Sequence, residues 1–135
     1  MAVRYLLDTN ICIYIAKHNP PAVRERFARH AADELVMSVV TLGELLFGAE
    51  KSQARERALE TIARLNSVIR VADLPEAAGV HYGQIRAALQ KGGQPIGNND
   101  LWLAAHARAE GWTLVTNDER EFRRVEGLQV ENWAA

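Results

Sequence analysis

The chain has 135 residues, which is room for one domain at the usual ~100–200 residues per domain, so residues 1–135 are read as that domain. Apolar residues make up 48% and charged residues 24%, close to the globular average; disordered and fibrous classes are excluded, and a core can form without disulfides or a structural metal. Lys plus Arg is 16 and Asp plus Glu is 17, a formal charge of -1, so no overall positive field draws the chain to nucleic acid and any such binding must use local patches.

Val3 to Leu7 is a short β-favouring run that ends at Asp8-Thr9-Asn10, residues that suit turns and helix caps. Ile11 to Lys17 reads as a short helix, and Pro20-Pro21 opens a second one through about His30. Leu35 to Val39 is a second strand, after which Thr41-Leu42-Gly43-Glu44 has the capping-box pattern of a new helix. Gln53 to Asn66 is an amphipathic helix and Val68 to Ala72 a third strand. From Pro75 a long helix runs through Gln90 to the stop at Lys91-Gly92-Gly93, and a loop follows to Asn99. Asp100 to Glu110 is helical and closed by Gly111, Trp112 to Thr116 is the fourth strand, and Asn117 to Arg124 is one more short helix. Leu128 to Val130 suits an edge strand, with Trp133 anchoring the tail. Alternating strands and helices predict a three-layer α/β domain with a mainly parallel central sheet of four to five strands.

Cys12 is the single cysteine, so neither an internal disulfide nor a Cys-based zinc site can form, and a reducing cytoplasm is the expected compartment. The early apolar run Ile11 to Ala16 is too short for a membrane span or a signal h-region. A soluble, unexported protein is expected.

In open parallel sheets ligands bind beyond the carboxyl ends of the strands, and here those places are repeatedly acidic: Asp8, Glu44, Asp100 and Asp118. Each has a bland reading, as a helix cap, a capping-box partner, a dipole partner or a turn residue. Helical geometry weakens that reading for two of them. Asp100 shares a face with Leu103, Ala104 and Ala107, and Glu44 shares one with Val40, Phe47 and Gly48, so both carboxylates are expected to turn toward packed structure without a nearby cation. Convergent carboxylates repel, so a divalent cation is the natural counter-charge, and oxygen-only ligands suit Mg²⁺ or Mn²⁺. That chemistry fits metal-assisted phosphodiester hydrolysis.

Leu6-Leu7-Asp8-Thr9-Asn10, Thr41-Leu42-Gly43-Glu44-Leu45 with Gly48 to Ser52, Pro95 to Asp100 with Ala104-Ala105-His106-Ala107, and Val115-Thr116-Asn117-Asp118 with Glu121-Phe122 together resemble the PIN-domain toxins of the VapC type. The resemblance implies a PIN-like fold and an endoribonuclease dependent on Mg²⁺, with Mn²⁺ able to substitute. It further implies a homodimer, neutralisation by a VapB-type antitoxin, and contact with DNA only through that antitoxin. Carried over, Asp8, Glu44 and Asp100 match the core metal-site acids; Asp118 matches the fourth, with Glu121 as its rival, and Thr9, Asn10 and Thr116 match residues that orient them. The expected products carry 5′-phosphate and 3′-hydroxyl ends. Lys51-Ser52 and Pro95-Ile96-Gly97 resemble the branch associated with initiator tRNA.

Lys51, Arg86, Arg120, Arg123 and Arg124 are candidate phosphate contacts, Lys51 and Arg86 being retained as RNA-binding. His18 and His30 are expected to be solvated and His106 structural. Two other functions stay open: an Asp-based phosphotransfer domain with Asp8 as nucleophile, and a catalytically inactive acidic binding domain. No Gly-rich phosphate loop is present, since Gly92-Gly93 to Gly97 lacks the spacing and the Lys-Ser/Thr of a P-loop.

Overall fold

The computed structural model describes residues 2–134. Its elements run β1 (Tyr5–Leu7), α1 (Thr9–Lys17), α2 (Pro21–Ala28), β2 (Leu35–Ser38), α3 (Val39–Glu50), α4 (Arg55–Val68), β3 (Arg70–Ala72), α5 (Glu76–Lys91), α6 (Asn98–Glu110), β4 (Thr113–Val115), α7 (Glu119–Phe122) and β5 (Val130–Glu131). The strands form one five-stranded sheet in the order β3-β2-β1-β4-β5 with every pairing parallel.

Alternation along the strands builds the layers. Leu6, Val36 and Leu114 point to one face, where they pack with Leu89, Leu101, Leu103 and Phe122 from α5, α6 and α7. Tyr5, Leu7, Met37 and Val115 point to the other, against Ile11, Cys12, Val23 and Leu65 from α1, α2 and α4. Helices therefore cover both faces, as an all-parallel sheet requires. The chain builds β1, β2 and β3 outward in one direction and then returns to place β4 on the opposite side of β1. This reversal leaves a crevice at the carboxyl ends of β1 and β4, the position at which open α/β sheets bind ligands.

Several boundaries differ from the sequence reading. The capping box at Thr41 does not form: Ser38 is the helix cap, its Oγ accepting from the Val40 N–H at 3.1 Å, and Thr41 lies inside α3, fully buried. Val68 ends α4 instead of opening β3, and α6 starts at Asn98 rather than Asp100. The last strand is Val130–Glu131, slightly beyond the expected run. His30 is not simply solvated. Its ring stacks on buried Trp133 at 5.1 Å and 5°, its Nδ1 lies 3.4 Å from Glu34, and Trp133 anchors the tail as expected.

Candidate active site

Asp8 ends β1 and caps α1, its Oδ1 accepting from the Ile11 N–H at 2.9 Å. It therefore fills the bland role and stands at the carboxyl end of β1, in the crevice, at once. Only 6% of it is accessible, and its carboxyl is pushed up to about 6: burial is the largest cause, opposed by hydrogen bonds from Thr116 and Ile11 and reinforced by the charges of Glu44 and Asp118. Buried Thr116 serves two acids, since its Oγ1 also accepts from the Asp118 N–H at 2.9 Å.

Asp100 sits in the first turn of α6, half-buried, and is likewise pushed up to about 6, by burial first and then by Glu44, Asp8 and Asp118, while a side-chain hydrogen bond with Glu121 lowers it. Burial also raises Glu121, helped by its hydrogen bond with Asp118 and the charges of Asp100 and Asp118, against a backbone hydrogen bond at Gly97. Asp118 and Glu121 thus share one corner, which is why the sequence could not choose between them.

Glu44 reaches the cluster from α3, where the Thr9 hydroxyl donates to its Oε1 at 2.7 Å and Thr41 Oγ1 stands 3.4 Å from the same hydroxyl oxygen. Its helical face is not all turned inward, because Phe47, one turn on, is 64% exposed. Asn10 Nδ2 donates to Asn117 Oδ1 at 3.3 Å, and Asn117 Nδ2 donates to Tyr14 Oη at 3.2 Å. Asn117 and Tyr14, which brace this side of the crevice, were not singled out from the sequence; the only signal was that Asn117 lies beside Asp118.

Asp8 at the end of β1 and Asp100 on α6 are both raised by the charges of Glu44 and Asp118, so the four acids stand near one another, and their donors are all carboxylate oxygens, a set suited to a hard divalent cation. As the side chains stand, no group of three or more His, Cys, Asp or Glu among the described residues is gathered tightly enough to hold a metal ion. The chemistry of the set, oxygen donors only, fits such an ion.

Lys51 lies at the end of α3 with Nζ 4.7 Å from the Phe47 ring centroid. Arg123 pairs with Glu119 at 3.0 Å, whereas Arg124 donates to the Pro95 carbonyl at 3.4 Å. Arg86 donates to Tyr82 Oη at 2.9 Å. His106 is structural, fully buried with Nδ1 3.0 Å from Ser38 Oγ.

The PIN domain family matches residues 5–128. Over 132 residues, covering 98% of this chain and 99% of the relative, the chain is 48% identical to the tRNA(fMet)-specific endonuclease VapC of Shigella flexneri. It is 44% identical over 131 residues to ribonuclease VapC2 of Haemophilus influenzae, with 97% of this chain and 98% of the relative covered. Among solved structures it is similar to the VapC-type chain of DNA-bound VapBC from Salmonella typhimurium, with a TM-score of 0.91, 42% identity and coverage of 97% of this chain and 98% of that one. VapBC2 of Rickettsia felis, bound to a DNA fragment from its promoter, gives a TM-score of 0.90 at 36% identity over 97% and 99% of the two chains. With the PIN domain family matched over residues 5–128 and similarity to VapC ribonucleases along nearly its whole length, the chain belongs to the VapC ribonucleases of the PIN-domain family.

Proposed function

We propose that this chain is the toxin of a type II toxin–antitoxin pair, an endoribonuclease that hydrolyses phosphodiester bonds of structured RNA with Mg²⁺ or Mn²⁺ and so arrests translation. The observation that carries the reading is the convergence of Asp8, Glu44, Asp100 and Asp118 on the crevice where the strand order reverses. Initiator tRNA is the substrate we favour, on the similarity to the tRNA(fMet)-specific endonuclease of Shigella flexneri.

Asp8, Glu44 and Asp100 would hold the cation, with Asp118 and Glu121 as the fourth position. Bound there, the cation supplies Lewis acidity that makes a water nucleophilic near neutral pH and neutralises charge on the phosphate. Thr116 fixes Asp8 and the backbone of Asp118, and Thr9 fixes Glu44, so the ligands are oriented before substrate arrives. Asn10 belongs to the same scaffold through Asn117. Lys51 and Arg86 are the cations we assign to RNA phosphates. No phosphotransfer lysine follows β4, where Thr116-Asn117-Asp118 stand instead.

The partner is a VapB-type antitoxin, through which alone the chain would meet DNA, and the toxin would be a homodimer. An apolar groove of about 470 Å³ between α1, α3 and α4, lined by Ile13, Ala16, Leu45, Ala58 and Ile62, opens onto Thr9 and Glu44. An antitoxin segment laid there would bring a basic side chain onto the acids. No helix among the described residues is long and apolar enough to cross a membrane, and we place the pair in the cytoplasm.

Purified protein incubated with tRNA(fMet) tests the reading. Cleavage with Mg²⁺ or Mn²⁺, its loss in EDTA, and 5′-phosphate ends are expected; RNA left intact with either ion would overturn it.

A further inference from the structure

Beside the acid cluster, α5 and the loop leading into α6 form a half-open surface cavity of about 210 Å³, walled by Leu89, Pro95 and Ile96 and carrying the exposed Arg86, Gln90 and Asn98 as its polar groups. Arg86 is held in place there. Its Nη1 donates to Tyr82 Oη at 2.9 Å, Tyr82 Oη donates to Asn98 Oδ1 at 2.5 Å, and the Tyr82 ring is stacked on Trp102 with centroids 4.0 Å apart. The aromatic pair fixes the hydroxyl, and the hydroxyl fixes the guanidinium.

Among the described residues no carboxylate pairs with Arg86. A guanidinium presents five N–H donors in a rigid fork, and Tyr82 takes one of them. The rest are open to a bidentate acceptor, for which phosphate has the matching geometry and charge.

The cavity is joined to the acids through its wall. Pro95 to Asn98 leads directly into the turn of α6 that carries Asp100, and the backbone at Gly97 is hydrogen-bonded to Glu121. Arg124 steadies the same wall by donating to the Pro95 carbonyl. A phosphate at the crevice faces Asp8, Glu44, Asp100 and Asp118, and the chain's formal charge of -1 provides no general attraction to offset them. A fixed cation beside the acids supplies that attraction where the strand must be registered.

We propose that this cavity takes the nucleotide next to the cleaved bond, its phosphate on the Arg86 guanidinium and its base against Ile96 with its edge met by Gln90 and Asn98. The assignment rests on the ribonuclease reading above. Unstacked bases of RNA loops are splayed out of the strand and read by hydrogen bonds at their edges. The amides of Gln90 and Asn98 can supply these, while Ile96 gives the base face an apolar contact. Arg86 is then a positioning residue, and Tyr82 positions Arg86.

Fluorescence anisotropy of 5′-labelled tRNA(fMet) in EDTA reads binding without cleavage, and cleavage of the same RNA started with Mn²⁺ reads KM and kcat. Arg86→Ala is expected to weaken binding about tenfold and to lower the slope of log Kd against log salt by about 1. KM rises and kcat is nearly unchanged. Arg86→Lys restores the salt slope but not the affinity, because an ammonium cannot span the fork. Tyr82→Phe keeps the stack on Trp102 and loses the hydroxyl, giving part of the same loss. Wild-type Kd, slope and KM in Arg86→Ala would overturn the cavity's assignment and leave the ribonuclease reading standing, as would RNA binding that persists while light scattering shows a lost dimer, which would give the cavity to a second copy. Wild-type protein that binds tRNA(fMet) through Arg86 yet never cuts it with Mn²⁺ would overturn the ribonuclease reading and with it the placing of this nucleotide beside a cleaved bond, leaving Arg86 only as an RNA contact.

Discussion

The Thr9 hydroxyl donates to Glu44 Oε1 at 2.7 Å, so the first turn of α1 holds the carboxylate that α3 brings to the crevice. Asp8, the neighbouring residue, caps the same helix, and one end of α1 therefore positions acids of two elements. Thr9→Val preserves the shape of the side chain and removes the donor. We expect metal affinity to fall by about 10–100-fold, the usual cost of losing a group that orients a ligand. The Mn²⁺ concentration needed for half-maximal RNA cleavage measures this, and an unchanged value would mean that Glu44 finds its place without Thr9.

Asp8→Asn, Glu44→Gln and Asp100→Asn each keep their volume and discard the charge. Each should remove RNA cleavage and growth arrest while the far-ultraviolet circular dichroism of the domain persists. If two of the three cut tRNA(fMet) with Mn²⁺ at near wild-type rates, the acids assigned to the cation are the wrong ones. Asp118→Asn compared with Glu121→Gln resolves the shared corner: we expect the larger loss at Asp118, whose backbone N–H is fixed by Thr116.

Position made three of the acids candidates, since Asp8 and Asp118 follow strands and Asp100 shares the face of α6 that packs on the sheet. Glu44, and the choice of all four over their bland readings, rested on the family motifs. The start of α3 was not legible. Thr41 and Glu44 satisfy the capping-box spacing, but Ser38 lies close upstream, and a linear pattern cannot tell which hydroxyl stands at the helix end. His30 was misjudged because its stacking partner Trp133 is at the far end of the chain. The Arg86–Tyr82–Asn98 chain was hidden for the same reason, since it joins two helices across a loop. Contacts that depend on how elements dock leave no periodic trace in sequence.

The groove between α1, α3 and α4 yields a prediction separable from catalysis. Ala58 lines it on α4. Ala58→Glu puts a charge into an apolar seat, which costs binding because the charge must be stripped of water without a partner. Antitoxin affinity measured by calorimetry should fall at least about tenfold, since loss of even ~1.4 kcal/mol has that effect. RNA cleavage should be retained; equal antitoxin affinity in the variant would move the partner's seat elsewhere.

Stability against pH tests the acid cluster without reference to RNA. Asp8 rises from 3.8 to about 6 on folding, and Asp100 rises from 3.8 to about 6 as well. Between those limits the folded chain keeps protons that the unfolded chain has released, so ΔG of unfolding falls as pH increases from about 4 to about 6 and levels off above. For buried Asp8 alone the loss is about 3 kcal/mol, at ~1.4 kcal/mol for each pH unit separating the folded and unfolded values. Asp100 adds a smaller share because it is half-buried and solvent screens part of its repulsion. Asp100→Asn removes its own penalty and one of the charges that raise Glu121, so the metal-free variant should melt higher than wild type at pH 7, a common outcome where function has cost stability. A cation reverses the order. Mn²⁺ stabilises the protein in proportion to its affinity for the folded site, and the variant should lose most of that shift. Thermal melts of both proteins in EDTA and in Mn²⁺ at pH 4, 5, 6 and 7 decide it: an Asp100→Asn protein that melts lower in EDTA yet shifts normally with Mn²⁺ would make Asp100 a helix-end residue and put the cation elsewhere.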